Sequence, residues 1–77
     1  MVKQLVIEQE DFYEVDGIQY FKFKYYNTTQ KDVYVELKKN KKYILENIAN
    51  VCDLNYYKLN KVQLVKLIEE SGCLVKR

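Results

Sequence analysis

The chain of 77 residues has no histidine, no proline and no tryptophan, and it has only two glycines, two cysteines and one serine. Without histidine it lacks the commonest general base, and two glycines cannot build a phosphate-binding loop. Two cysteines cannot form a disulfide framework or a four-ligand zinc site, so Cys52 and Cys73 are predicted to be buried free thiols. These absences argue against an enzyme and against any bound metal or cofactor.

No apolar run approaches the roughly eighteen residues that a membrane-spanning helix needs, so we expect a soluble, cytoplasmic protein. The content of 48% hydrophobic and 31% charged residues is typical of a folded chain, and residues 1–77 are expected to form one small domain. Lysine outnumbers arginine twelve to one, and there is a single alanine. This bias suggests an AT-rich coding genome, such as that of a low-GC bacterium or its phage.

A turn signal followed by strict alternation predicts a β-hairpin. Asp16-Gly17 supplies the positive φ angles of a two-residue type I′ turn, and residues 18–26 (IQYFKFKYY) then alternate between two faces. One face carries Phe21, Phe23 and Tyr25 and is predicted to be core. The other face, which we call the tyrosine–lysine face, carries Tyr20, Lys22, Lys24 and Tyr26.

A third extended segment, residues 32–37 (DVYVEL), follows a polar loop. Placing Tyr26 opposite Asp32 brings all apolar partners onto one face, whereas a slip of one residue would scatter them. Tyr34 then joins the tyrosine–lysine face. The predicted cross-strand pairs are Tyr25 with Val33, Phe23 with Val35, Phe21 with Leu37, and Lys22 with Glu36.

The segment before the hairpin requires an irregularity. The two-residue turn pairs Phe12 with Phe21, and it places Tyr13 and Val15 opposite the core, together with Leu5 and Ile7 by parity. A bulge or break within residues 8–11 is therefore predicted to return Leu5 and Ile7 to the core side. The acidic residues of this stretch alternate between faces, which favours a solvated strand over a metal or catalytic site: Glu8, Glu10, Asp11 and Glu14.

From Asn40 onward the apolar period changes to three or four residues, which predicts two helices. The first spans about three turns, with its apolar stripe at Ile44, Leu45, Ile48, Val51 and Cys52. The second runs from Lys61 to Ser71, with Asn60 as N-cap and Gly72 as its stop. The predicted fold is α+β: a three-stranded antiparallel meander, two helices packed on one sheet face, and a short C-terminal edge strand near residues 73–75.

Residues 43–72 resemble the helix, extended loop and helix of SAP and Rho N-terminal modules. The resemblance rests on the apolar first helix, on Leu54, and on the stretch Leu59–Ile68 (LNKVQLVKLI). Modules of these families often bind nucleic acid, while the related LEM modules bind protein. The resemblance therefore implies a binding role and leaves both classes of partner open.

A lysine cluster, Lys38, Lys39, Lys41 and Lys42, lies around Asn40 at the start of the first helix. Positive charge is unfavourable at a helix N-terminus, and a bound phosphate would offset it. The alternative is a solvated turn whose lysines reach into water.

The tyrosine–lysine face has three interpretations. Its lysines could follow a phosphate backbone while its rings stack on bases. Tyrosine is also enriched at protein interfaces, and the third interpretation is an ordinary solvated surface. The leading prediction is a small non-enzymatic regulator or inhibitor from a phage or mobile element. It would bind a host protein through Tyr20, Lys22, Lys24, Tyr26 and Tyr34, alone or as a dimer. The alternative is a nucleic-acid-binding accessory protein that uses this face and the lysine cluster.

Overall fold

The structure is a computed structural model that describes residues 3–23 and 31–77. Within these residues the fold is α+β, as predicted: a three-stranded antiparallel sheet, two helices, and a two-stranded parallel sheet. Two short 3-10 helices, Gln9–Asp11 and Leu37–Lys39, connect the elements. The strands and α-helices in chain order are β1 (Leu5–Ile7), β2 (Phe12–Val15), β3 (Ile18–Phe23), β4 (Lys31–Tyr34), α1 (Lys42–Val51), α2 (Lys61–Ser71) and β5 (Leu74–Lys76).

The hairpin between β2 and β3 has the predicted turn and register. Asp16 and Gly17 have φ angles of 52° and 81°, as a type I′ turn requires. Phe12 pairs with Phe21, and Val15 pairs with Ile18. Because the turn fixes the register, the alternation in both strands sorts side chains onto the predicted faces.

The register between β3 and β4 differs from the prediction. Phe21 pairs with Val33 instead of Leu37, and Lys22 pairs with Asp32 instead of Glu36. The predicted pairing of Phe23 with Val35 is likewise wrong, since Phe23 lies opposite Lys31. The predicted pairs of Tyr25 and Tyr26 involve residues outside the described ranges. The partner of each residue is shifted by an even number of positions, so residues 20–23 and 32–34 keep their predicted faces.

Alternation does not distinguish registers that differ by an even number of residues, and β4 ends earlier than predicted, at Tyr34. Asn40 is buried, and its side chain occupies the outer edge of the strand. The Tyr34 N–H donates to Asn40 Oδ1 at 2.9 Å, and Asn40 Nδ2 donates to the carbonyl oxygens of Tyr34 and Leu37, both at 3.1 Å. One further backbone bond to β3 follows, from the Val35 N–H to the Gln19 carbonyl at 3.0 Å, and the chain then turns into the 3-10 helix at Leu37.

β1 is not part of the antiparallel sheet. The predicted irregularity within residues 8–11 is the 3-10 helix Gln9–Asp11, and Ile7 before it is buried. β1 pairs in parallel with β5, the predicted C-terminal strand, with Leu5 opposite Leu74 and Ile7 opposite Lys76. The first and last strands of the described residues thus form one small sheet.

Both helices lie close to their predicted bounds. α2 has a complete capping box, in which the Asn60 side chain accepts from the Gln63 N–H and the Gln63 side chain accepts from the Asn60 N–H, both at 2.9 Å. It ends at Gly72 with φ 65°, the left-handed conformation predicted there. α1 starts after Lys41, whose side chain makes no capping hydrogen bond.

The core lies between the antiparallel sheet and the two helices. Val35 is only half-buried, and Leu37 enters the core from the 3-10 helix and not from a strand. Among the described residues, no helix is long and apolar enough to span a membrane. The buried apolar residues form one cluster: Ile7, Phe21, Phe23, Val33, Leu37, Ile44, Leu45, Ile48, Ala49, Cys52, Leu54, Leu64, Ile68 and Cys73.

Candidate interaction face

The described part of the tyrosine–lysine face lies on the outer side of the antiparallel sheet. Tyr20 and Tyr34 are directly opposite each other on β3 and β4, and Lys22 follows on β3 with its side chain exposed. Lys24 and Tyr26, which the sequence also placed on this face, lie outside the described residues. The structure therefore brings three of the five predicted residues together.

Tyr13 on β2 lies on the same face, opposite Tyr20. Together these side chains form a row of three rings, one on each strand, which we call the tyrosine ladder: Tyr13, Tyr20 and Tyr34. The Tyr13 and Tyr20 rings are stacked, with centroids 5.4 Å apart and planes 15° apart. The Tyr20 and Tyr34 rings are tilted by 38°, with centroids 4.8 Å apart. All three side chains are half-buried, and Tyr20 is flanked by a ring on each side. Cross-strand aromatic pairs of this kind stabilise a sheet and hold the rings in place.

The hydroxyl groups of the ladder are held by hydrogen bonds. Burial, followed by a hydrogen bond to the Asp32 carboxylate, raises the pKa of Tyr13 to about 12. Burial and a hydrogen bond with Tyr34 also raise the pKa of Tyr20. In both cases the neutral phenol is the favoured form, because an ionised phenolate could not donate to its partner. The ladder is thus ordered at its rings and at its hydroxyl ends.

Replacing Tyr13 by phenylalanine is expected to flatten the loss of stability at alkaline pH. The pKa of Tyr13 is raised in the folded state, so its contribution is present below its ordinary pKa of about 10 and is lost as the pH rises toward about 12. The free energy of unfolding of the wild type and of Tyr13→Phe, measured by urea denaturation across this range, gives the comparison. Parallel pH profiles would contradict the hydrogen-bonded position of Tyr13.

An apolar pair extends the ladder toward the tip of the hairpin. Val15 and Ile18 are cross-strand partners on the same face as Tyr13 and Tyr20, and their exposed fractions are 49% and 36%. Paired apolar side chains next to a row of aromatic rings form a continuous apolar surface at the outer side of the sheet. Such continuity distinguishes an interaction site from scattered exposed apolar residues.

The lysine cluster is partly neutralised. The Glu36 carboxylate forms ion pairs with Lys38 Nζ at 3.0 Å and with Lys39 Nζ at 3.3 Å. These contacts hold the pKa of Glu36 below its usual value. Lys41 precedes α1, and Lys42 is its first residue; both are exposed. A glutamate that the sequence assigned to a strand pair with Lys22 thus belongs to the lysine cluster instead.

The tyrosine ladder and the lysine cluster border one cavity of about 510 Å³. Tyr34 and Asp32 line it from the sheet, while Lys39 and Lys41 line it from the segment before α1. Asn40 also contributes to its wall, and its hydrogen bonds to Tyr34 fix the distance between the two groups of residues. The two surfaces that the sequence treated separately are therefore adjacent.

Tyr13, Val15 and Ile18 were not predicted as site residues. The signal for them was in the turn: a two-residue type I′ hairpin places Tyr13 opposite Tyr20 and Val15 opposite Ile18. By contrast, the approach of Asp32 to Tyr13 depends on the register of β4, for which the sequence predicted the wrong pairing.

Comparisons with protein-family models, with curated proteins and with solved structures found no match for this chain. The resemblance of residues 43–72 to SAP and Rho N-terminal modules therefore stays a prediction. Within residues 3–23 and 31–77, no three cysteine, aspartate or glutamate side chains lie close enough together to hold a metal ion. The outer face of the antiparallel sheet, with its tyrosine ladder and exposed apolar pair, is thus the feature that bears on function.

Proposed function

We propose that the chain is a small non-enzymatic interaction module that binds a partner protein through the outer face of its antiparallel sheet. The observation that carries this proposal is the tyrosine ladder and its continuation into the exposed pair Val15 and Ile18. Tyrosine contributes a large contact area at low entropic cost. Because the ladder rings and hydroxyls are already ordered by their neighbours, little further side-chain conformational entropy is lost on binding.

The charges of this face favour a protein over a nucleic acid. Lys38 and Lys39 form ion pairs with Glu36, and Asp32 occupies the register position opposite Lys22, so part of the positive charge is offset where it would have to meet phosphates. Affinity for nucleic acid depends strongly on uncompensated positive charge. The ring of Tyr20 also has neighbours on both sides, which leaves little free ring surface for a base to stack on.

The partner class is proposed from composition. An AT-rich coding bias is typical of low-GC bacteria and their phages, and we propose a regulator or inhibitor from a phage or mobile element that binds a host protein. A second copy of the chain is the other partner that the same face could take. The functional residues described for this proposal are Tyr13, Val15, Ile18, Tyr20, Lys22 and Tyr34.

Nucleic-acid binding remains the second candidate because of the cavity beside Tyr34. Lys39 and Lys41 line this cavity together with an aromatic ring, a combination that suits a phosphate and an adjacent base. The SAP and Rho N-terminal modules that residues 43–72 resemble often bind nucleic acid, whereas the related LEM modules bind protein, so the resemblance is compatible with either candidate. In this alternative the lysine cluster, and not the apolar pair, would supply most of the binding free energy.

Replacing Tyr34 by alanine is expected to weaken partner binding by about 1–3 kcal/mol, since tyrosines are common hot spots of protein interfaces. The chain should still fold, because the buried core lies on the other face of the sheet and the bonds from Tyr34 to Asn40 use its backbone and not its ring. Tyr57→Ala is the matched control: this tyrosine is 76% exposed and lies in the segment between the helices. The partner is captured from a low-GC bacterial lysate, and its Kd for each variant is then measured by calorimetry.

Equal affinities for Tyr34→Ala and Tyr57→Ala would contradict the proposed face. Capture is repeated with nuclease and over a range of salt concentrations to separate the two candidate functions. A protein interface centred on tyrosines should keep its affinity as ionic strength rises, whereas phosphate contacts weaken steeply. Loss of the captured partner on nuclease treatment, together with a steep salt dependence, would favour the nucleic-acid alternative.

A further inference from the structure

The two cysteines, 21 positions apart in the sequence, meet at one place in the core. Cys52 caps the C-terminal end of α1, and Cys73 follows the end of α2. Both side chains are fully buried, and the Cys52 thiol is within hydrogen-bonding contact of the Cys73 thiol. The pair therefore joins the ends of the two helices.

The N-terminal strand covers this pair. The Lys3 N–H donates to the Cys52 carbonyl at 3.0 Å, and the Leu5 N–H donates to the Cys73 carbonyl at 2.6 Å. Lys3 also forms an exposed ion pair with Asp53 at 3.5 Å. Because N–H groups two residues apart in one segment reach both carbonyls, the backbones of Cys52 and Cys73 lie side by side.

We propose that Cys52 and Cys73 form a dithiol that low-molecular-weight disulfides convert into an intramolecular disulfide, and that this modification locks the ends of α1 and α2 together. One thiolate attacks the small disulfide, forms a mixed disulfide and releases one small thiol. The second thiolate then attacks the protein sulfur of the mixed disulfide and releases the other small thiol. The dithiol loses two electrons and two protons, and the small disulfide is reduced to two thiols.

Access to the thiols is controlled by β1. This strand has three residues and, among the described strands, pairs with β5, which also has three residues, so few backbone hydrogen bonds hold it closed. Burial also raises the pKa of Cys52 to about 12, which keeps the closed form unreactive. Oxidation should therefore proceed at the rate at which the N-terminal strand opens, and the product should reclose around the new bond.

The test uses the intact chain in native buffer with oxidised glutathione, followed by alkylation of free thiols and intact mass measurement. The expected product has lost the mass of two hydrogen atoms, and peptide mapping should locate the bond between Cys52 and Cys73. The oxidised chain should unfold at a temperature about 10 °C or more above that of the reduced chain, because the disulfide closes a loop that contains the whole of α2. Reduction with a dithiol should reverse the shift.

Cys52→Ala and Cys73→Ala serve as controls. Each keeps one thiol, which can bind one glutathione but cannot form the intramolecular disulfide. Neither variant should therefore show the rise in melting temperature. Four results would overturn the proposal. These are two separate glutathione adducts on the wild type, a disulfide between two chains, a disulfide that lowers the melting temperature, and no reaction unless urea is present.

Discussion

Replacing Phe23 by alanine is expected to lower the free energy of unfolding by about 3–5 kcal/mol, as for other buried rings. Phe23 is 2% exposed and lies on the central strand β3, where it faces the helices. A chain of this length has a total stability of roughly 4–12 kcal/mol, so the loss is a large part of it. Urea denaturation followed by far-ultraviolet circular dichroism measures the difference from the wild type.

Lys22→Ala is the matched control for this experiment, because Lys22 is the neighbouring residue on the same strand and points to solvent. Its effect should stay within about 0.5 kcal/mol. If Phe23→Ala is harmless while Tyr34→Ala unfolds the protein, the two faces of the sheet have been assigned the wrong way round. The proposed function, which depends on the outer face, would then fail with the assignment.

Replacing Asn40 by alanine is expected to cost about 2–4 kcal/mol. The side chain is 3% exposed and makes three hydrogen bonds, two of them to the backbone of Tyr34. Alanine would leave the N–H and C=O at the edge of β4 without their partner, and a buried unsatisfied polar group costs about 1–3 kcal/mol. The measurement is again urea denaturation, and hydrogen exchange at the Tyr34 amide should become faster.

Asn40→Asp should destabilise more than Asn40→Ala at neutral pH. A carboxylate cannot donate to the carbonyl oxygens of Tyr34 and Leu37, and its charge would be buried without a partner. Asn55→Ala is the control, because Asn55 is exposed and accepts one long contact, 3.4 Å, from the Tyr57 N–H. If all three substitutions cost the same small amount, Asn40 does not close the edge of β4.

The candidate face was only partly predictable. The two-residue turn contained enough information to place Tyr13 and Val15 beside Tyr20 and Ile18, although only Tyr20 was predicted as a site residue. The neighbourhood of Tyr34 was not predictable in the same way. Its contact with the lysine segment depends on Asn40, and a polar residue at a helix start gives no sign in the sequence that it will be buried between a strand edge and a 3-10 helix.

By itself, the sequence determined the features that depend on neighbouring residues. The type I′ turn at Asp16-Gly17, the register of the first hairpin, and the start and stop of α2 all follow from short-range steric and hydrogen-bonding preferences. Alternation also determined which side chains of β3 face the core, because that assignment depends on parity alone.

Only the tertiary structure decided the pairings that join distant parts of the chain. A slip of an even number of residues leaves every side chain on its face, so alternation could not distinguish Val33 from Leu37 as the partner of Phe21. The parallel pairing of β1 with β5 and the meeting of Cys52 with Cys73 depend on how the helices pack against the sheet. These arrangements are set by the burial of one shared core, a property that no local pattern contains.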